Sequence, residues 1–289
     1  MNKANESVWC WVLGPAYTVD RAKNTGLPVS AYCTPSEILD HYRCGNVAFF
    51  PGDARYAPET FAPVSACDRV MAEVYHMSED GLARGAELSG LSKRVPNVCG
   101  AIIDDFSSAV ARGKETRQEG EQDTKARNVA AEKREEMRNG MERLSRNIKS
   151  VNPSLPLYAV CYTMHFNIDL APYLPYVDKV SLWVWVPSDL AVLDTHVARA
   201  AELYRKPIHL GLYVFDYSAL DYGRLDKLDW KQTLKERLIP MKTLEFQFKR
   251  AREYLRDGRI EGIHILGSYL RDELKTDQAR WVRDFVGTL

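Results

Sequence analysis

Two adjacent carboxylates, Asp104 and Asp105, close a short apolar run that begins at Val98 after Pro96-Asn97. The run is too brief for a stable helix and reads as a buried parallel strand. A strand ending in acids delivers them to the carboxyl edge of its sheet, where α/β proteins place their ligand sites. Other residues able to do chemistry close similar runs. Glu73 and Tyr75 are two apart and so share a strand face, with His76 next. Tyr162 and His165 end another run, and Trp183 and Trp185 share a face above Ser181. Tyr213 is followed by Asp216 and Tyr217, Asp53 follows Pro51-Gly52, and Arg271 lies just past Ser268.

Carboxylates interleaved with Trp and Tyr suit a sugar. Aromatic faces stack on the C–H faces of pyranose rings, carboxylates bind hydroxyls, and two carboxylates in unlike environments serve as acid and as base or nucleophile. Consecutive strand residues face opposite sides, so the sequence predicts that one of Asp104 and Asp105 meets substrate while the other braces a loop. The expected catalytic pair joins Asp104 or Asp105 to Glu73 or Asp216. Trp183, Trp185, Tyr162 and Tyr213 form the expected sugar platform, with Tyr75, His76, His165 and Arg271 as further substrate contacts. Plainer readings stand beside these, since aromatics fill buried pleated surfaces and paired Asp residues cap helices. Trp9 and Trp11 read as barrel filling, and His209 and His264 as core histidines. Asp53, Glu73, His76 and Asp104 form a loose oxygen and nitrogen set without HxH or HExxH spacing, so neither a metal nor an organic cofactor is expected.

The elements that must position these residues are legible as eight apolar runs, at 8–13, 46–50, 70–75, 98–103, 157–162, 179–185, 208–214 and 260–266. Between them lie helical patterns. Pro35 to Tyr42 opens after Thr34 with Glu37 three residues on, a capping-box signature. Leu190, Leu193, Val197, Ala201 and Tyr204 recur at helical spacing, as do Leu244, Phe248, Ala251 and Leu255. A last helix carries Trp281, Val282, Phe285 and Val286. No GxGxxG follows the first run and no GxxxxGK[ST] occurs, which removes the common nucleotide-binding open sheets. The reading is α/β, a (β/α)8 TIM barrel in a single domain over residues 1–289. Residues 113–149 are dense in both charge signs with a narrow stripe of Met137, Met141, Leu144 and Ile148. They read as an extended charged helix after the fourth strand; a lid or an oligomer contact is the other reading.

Composition narrows the function classes. Lys+Arg and Asp+Glu are equal at 39 each among 289 residues, which disfavours nucleic acid or an anionic membrane as partner. Six cysteines lie far apart, several within apolar runs, as reduced buried thiols do, and no apolar leader opens the sequence; a cytoplasmic location is expected.

Gly100-Ala-Ile-Ile-Asp-Asp-Phe106, Leu182-Trp-Val-Trp185 and Gly211-Leu-Tyr-Val-Phe-Asp-Tyr217 together resemble a glycoside-hydrolase-type (β/α)8 barrel. Ile260-Glu-Gly-Ile-His-Ile-Leu-Gly267 is similar to the last strand of uncharacterised bacterial barrels associated with carbohydrate use. The resemblance implies a glycosidase with a carbohydrate as its partner. It departs from chitinase-like barrels at Phe106, where their Glu falls, and from the clan with Glu on strands four and seven at Asp216. In the chitinase frame Gly100, Ile102 and Asp104 share the inward face, favouring Asp104. Two other expectations fit the same barrel: a metal-assisted hydrolase, lyase or isomerase of a small polar metabolite, and a non-catalytic carbohydrate-binding protein.

Overall fold

A computed structural model describes residues 7–52, 55–74, 79–112, 124–218, 220 and 222–289. Eight strands, β1 (Val8–Leu13), β2 (Asn46–Phe50), β3 (Arg69–Glu73), β4 (Val98–Ile103), β5 (Leu157–Tyr162), β6 (Lys179–Trp183), β7 (Ile208–Tyr213) and β8 (Gly262–Leu266), close into a barrel in chain order. Every neighbouring pair is parallel, from β1 with β2 round to β1 with β8. The fold is therefore the (β/α)8 TIM barrel that the alternating runs predict. Four strands match the predicted bounds; β6 and β7 end before their runs do, β8 starts two residues into its run, and β3 is displaced to Arg69–Glu73. Tyr75 and His76 at the end of the third run, and Asp53 after the second, lie outside the described residues.

Aromatic rings fill the interior in tiers. Trp9, Tyr158, His209 and His264 touch one another deep in the barrel. Trp11, Phe50, Trp183 and Tyr213 lie next. Tyr162, Trp185 and Tyr217 follow at the strand ends. Rings this large need gaps in the facing strand. A methyl at Gly211 would overlap the Trp183 ring, and one at Gly262 would run into His209. His209 and His264 are the buried, hydrogen-bonded core histidines expected of them, with Nδ1 of His209 3.1 Å from Nε2 of His264.

Helices cover the barrel. α1 (Pro15–Thr25) starts one residue after β1, at Gly14. α2 (Pro35–Tyr42) carries the predicted capping box, Thr34 and Glu37 each satisfying the other's backbone N–H. After α3 (Glu79–Arg94), the charged helix expected over 113–149 is found at 124–148, preceded by a short helix that the sequence reading did not place. A short α4 (Phe106–Arg112) follows the aspartates directly, and α5 (Thr124–Ile148) comes after residues outside the description. Met141, Leu144 and Ile148 are fully buried, with Leu144 and Ile148 against Gly85 of α3, so that stripe is taken by packing within the chain. α6 (Leu193–Tyr204) buries Leu193, Val197, Ala200 and Tyr204, with Ala200 replacing the predicted Ala201. α7 (Trp230–Glu236), α8 (Met241–Arg256) and α9 (Asp277–Val286) complete the layer. Among the described residues no helix is long and apolar enough to cross a membrane.

One buried ion pair joins the segments that follow β7 and β8. Arg237 Nη1 donates to Glu273 Oε1 at 3.0 Å, with both side chains almost fully enclosed. Glu273 Oε2 accepts the backbone N–H of Tyr269 and Leu270, while Arg237 Nε donates to the Asp216 carbonyl. The guanidinium lies 4.4 Å from the Tyr217 ring centroid. Removing one member strands a buried charge, so Arg237→Met is expected to cost about 3–5 kcal/mol in urea unfolding. Adding Glu273→Gln should recover part of that loss; a double variant less stable than the single one would refute the pairing.

Candidate active site

The carboxyl ends of the strands surround a cavity of about 320 Å³, within the range of small-molecule sites. Its walls come from strand ends and two helices. β1 supplies Trp11, α1 supplies Tyr17 and Arg21, the β4–α4 turn supplies Asp104 and Asp105, α4 supplies Ser108, and β5 and its end supply Tyr162 and Met164. Trp183 and Trp185 come from the end of β6, Tyr213 and Tyr217 from β7, and Leu266 and Tyr269 from β8. Tyr17 and Arg21 stand four apart and therefore on one face of α1. Because α1 begins immediately after β1, that face lies over the strand ends.

Both aspartates line this cavity, which corrects the expectation that strand alternation would send them to opposite sides. The β4 ladder ends at Ile103, and Asp104 and Asp105 occupy a turn. Asp105 takes φ +50°, a left-handed conformation rare outside glycine. Period-two alternation no longer applies there. Asp104 Oδ1 accepts the Asp105 backbone N–H at 2.8 Å, and Asp105 Oδ1 accepts the Tyr162 hydroxyl at 2.7 Å. Asp105 also starts α4, its carbonyl accepting the Ala109 N–H at 2.9 Å.

The two environments differ. Burial among the aromatic walls, then the neighbouring charge of Asp105, pushes Asp104 up to about 7, against the Asp105 N–H and Arg21, which pull it down. Burial holds the Tyr162 phenol well above its ordinary value, with Tyr213 and the two aspartates reinforcing it, so it remains a donor. Arg21 has Tyr17 and Tyr269 within cation–π reach, at 5.9 and 5.6 Å from the ring centroids. Trp185 meets Tyr162 and Tyr213 edge-on, at 5.6 and 5.8 Å.

The predicted platform of Trp183, Trp185, Tyr162 and Tyr213 is thus brought together with both aspartates. Four other predicted residues have different partners and are not among those lining the cavity. Glu73 is buried at the end of β3, where its carbonyl accepts the Tyr56 hydroxyl. Asp216 lies past β7 after an antiparallel bridge between Phe215 and Leu238, and its Oδ1 accepts both the N–H and the hydroxyl of Ser218. His165 sits behind Tyr162, its Nδ1 2.9 Å from Ser107 Oγ. Arg271 pairs with Glu37 at 2.8 Å and donates to the Ser30 carbonyl, tying the β8 loop to α2.

Trp11, read as filling, lines the cavity as well as the core; it is two residues past Trp9 and closer to the strand end. Tyr17, Arg21, Ser108, Met164, Leu266 and Tyr269 carried no motif that marked them. Among the described residues no cluster of three or more His, Cys, Asp or Glu side chains is placed to hold a metal ion.

No family model matches the sequence, and no curated protein matches it. Solved structures do match. The AHE enzyme from Alicyclobacillus herbarius aligns with a TM-score of 0.58 at 9% identity, over 98% of this chain and 96% of that one. A family 1 β-glucosidase from Thermotoga maritima aligns with a TM-score of 0.53 at 11% identity, over 88% and 85%. A β-D-glucuronidase from Dictyoglomus thermophilum gives 0.51 at 12% identity over 98% of this chain, which spans only 50% of that enzyme's length. The chain thus shares its (β/α)8 barrel fold with these enzymes. At these identities the likeness is one of fold.

The origin of the raised Asp104 value is testable without a substrate. Replacing Asp105 by Asn removes a neighbouring negative charge, so the Asp104 carboxyl is expected to titrate below about 7. Carboxyl carbon NMR across roughly pH 4–9 reads this; a midpoint that stays or rises would show that Asp105 is not a cause.

Proposed function

We propose that the chain is a glycosidase whose working carboxylates are Asp104 and Asp105. One observation carries the reading: both acids open into a single aromatic cavity, and one is held near neutrality beside the other's charge. A carboxyl raised to about 7 keeps a substantial protonated fraction at neutral pH, and in that form Asp104 gives its proton to the departing glycosidic oxygen. Asp105, held by the Tyr162 hydroxyl, supplies the negative charge that the oxocarbenium-like transition state requires. Trp183, Trp185, Tyr162 and Tyr213 offer ring faces and edges to the sugar.

The placement of the pair bears on the substrate. Ordinary retaining and inverting hydrolysis use two carboxylates that flank the scissile bond from opposite sides. Here the two acids rise from consecutive positions on one wall, and no third carboxylate among the described residues lines the cavity. A 2-acetamido sugar brings its own nucleophile: its amide oxygen closes on the anomeric carbon as the leaving oxygen takes the Asp104 proton. Asp105 accepts the amide N–H during that step, and water, losing a proton to Asp104, then opens the cyclic intermediate with retention. A 2-acetamido glycoside is therefore the substrate class this geometry favours.

Paired 4-nitrophenyl glycosides that differ only in carrying 2-acetamido or 2-hydroxyl test this directly. Turnover is expected for the 2-acetamido series, with kcat reduced about 10²–10⁴-fold in Asp104→Asn. Because Asp104 must be protonated to act, kcat/KM should fall as pH rises through about 7. Hydrolysis unchanged in both Asp104→Asn and Asp105→Asn would reject the assignment, and preference for the 2-hydroxyl series would reject the substrate-borne nucleophile.

A further inference from the structure

Beneath the cavity a chain of hydrogen bonds descends through the barrel from a residue of the sugar platform. Trp183 lines the cavity but is only 1% exposed, and its Nε1–H donates to Ser181 Oγ at 2.8 Å. Ser181 Oγ lies 2.8 Å from His264 Nδ1, and His264 Nε2 lies 3.1 Å from His209 Nδ1. Ser181 and His264 have no solvent exposure at all.

Proton bookkeeping selects one arrangement. An indole N–H only donates, so it uses an acceptor site on Ser181. The serine hydrogen then has His264 Nδ1 as its acceptor, which places the His264 proton on Nε2, where it donates to His209 Nδ1. Reversing the chain would direct His264 Nδ1–H at Ser181 and leave the serine hydrogen with no acceptor among the described residues, a cost of about 1–3 kcal/mol. Both histidines stay neutral, because burial pushes His264 down to about 3 and holds His209 well below its ordinary value. Steric fit fixes the same geometry. The Trp183 ring packs directly on Gly211 and the His209 ring on Gly262, while Trp11 and Tyr213 flank Trp183 at 4.9 and 4.8 Å between ring centroids.

We infer that Ser181 and His264 are positioning residues, which lock the indole plane of Trp183 as the fixed floor of the sugar site through a hydrogen-bond chain of one tautomer. The sugar part rests on the glycosidase reading; the lock itself does not. A locked floor acts on the bound sugar equally in the ground and transition states, so its loss raises KM and spares kcat. His264→Asn keeps an acceptor oxygen facing Ser181, whereas His264→Leu does not.

Two measurements on the intact chain separate the lock from the sugar reading. The first is nitrogen-15 NMR of the wild type and Ser181→Ala. It should show His264 protonated at Nε2 and not titrating between about pH 5 and 8, and a Trp183 indole proton that exchanges about tenfold faster or more in the variant. The second is kinetics on the 4-nitrophenyl glycosides. KM is expected to rise about tenfold in Ser181→Ala and His264→Leu, with kcat within about threefold of wild type and most of the affinity restored in His264→Asn. A His264 proton on Nδ1, or indole exchange unchanged by Ser181→Ala, overturns the lock whatever the enzyme does. If Ser181→Ala does not fold, the His264 tautomer in the wild type and the contrast between His264→Asn and His264→Leu decide it. Absent turnover with the NMR result intact overturns the sugar reading and leaves the lock standing. Turnover in which kcat falls and KM stays constant overturns the positioning role.

Discussion

Closing eight parallel strands leaves an interior that side chains alone must fill, and here the filling is largely aromatic. The contact between Trp183 and Gly211 shows the consequence of that choice. A ring of that size occupies the space of two side chains, so the facing strand must present none. The same trade recurs one tier lower, between His209 and Gly262. Interior rings cannot leave polar edges unpaired without cost, which explains a serine at 181 between an indole and an imidazole. At the carboxyl edge the tiers end, and their last rings become the walls of a cavity.

The second dependence is the left-handed turn at Asp105. A non-glycine residue in that conformation costs about 1–2 kcal/mol, aspartate tolerating it better than most. A hydrogen bond to a charged group contributes about 1.5–3 kcal/mol, and Tyr162 provides one to the Asp105 carboxylate. The two magnitudes are comparable, so the carboxylate that the turn delivers also helps to hold the turn. Asp104 adds a bond to the Asp105 N–H within the same turn. Tyr162 thereby connects the turn after β4 to the aromatic wall at the ends of β5, β6 and β7.

The barrel was legible because a strand buried on both faces is spelled as a compact Val, Ile and aromatic run between turn residues, and β1, β2, β4 and β5 begin and end where those runs do. The aromatic half of the cavity was legible for the same reason, since Tyr162, Trp183 and Tyr213 are strand-end residues. The residues that escaped lie where periodicity stops. Alternation holds only along a ladder, so it misplaced Asp105, which sits beyond one. Arg21 and Tyr17 escaped because α1 buries Thr18, Ala22 and Thr25, small or polar side chains that give no apolar stripe. α4 was hidden by the charged stretch after it, and the partner of Arg237 lies 36 residues away at Glu273, a separation with no local signal. Asp216 shows the opposite error: an acid at a strand end looks catalytic until a short bridge turns the chain and gives it Ser218.

Asp104 and Asp105 are chemically identical neighbours, and only their surroundings make them different. Arg21 lies close enough to lower Asp104, and so does the Asp105 N–H, yet Asp104 still stands near neutrality. Loss of solvent among the aromatic walls therefore outweighs a cation, with the charge of Asp105 adding to it. The Tyr162 hydroxyl donates to Asp105, while Asp104 receives a backbone N–H and no comparable side-chain donor among the described residues. Tyr162 is itself held by Trp185 on one side and by the Ser107 hydroxyl, which accepts its backbone N–H, on the other. The difference between the surroundings of the two acids is a property of the barrel's aromatic filling.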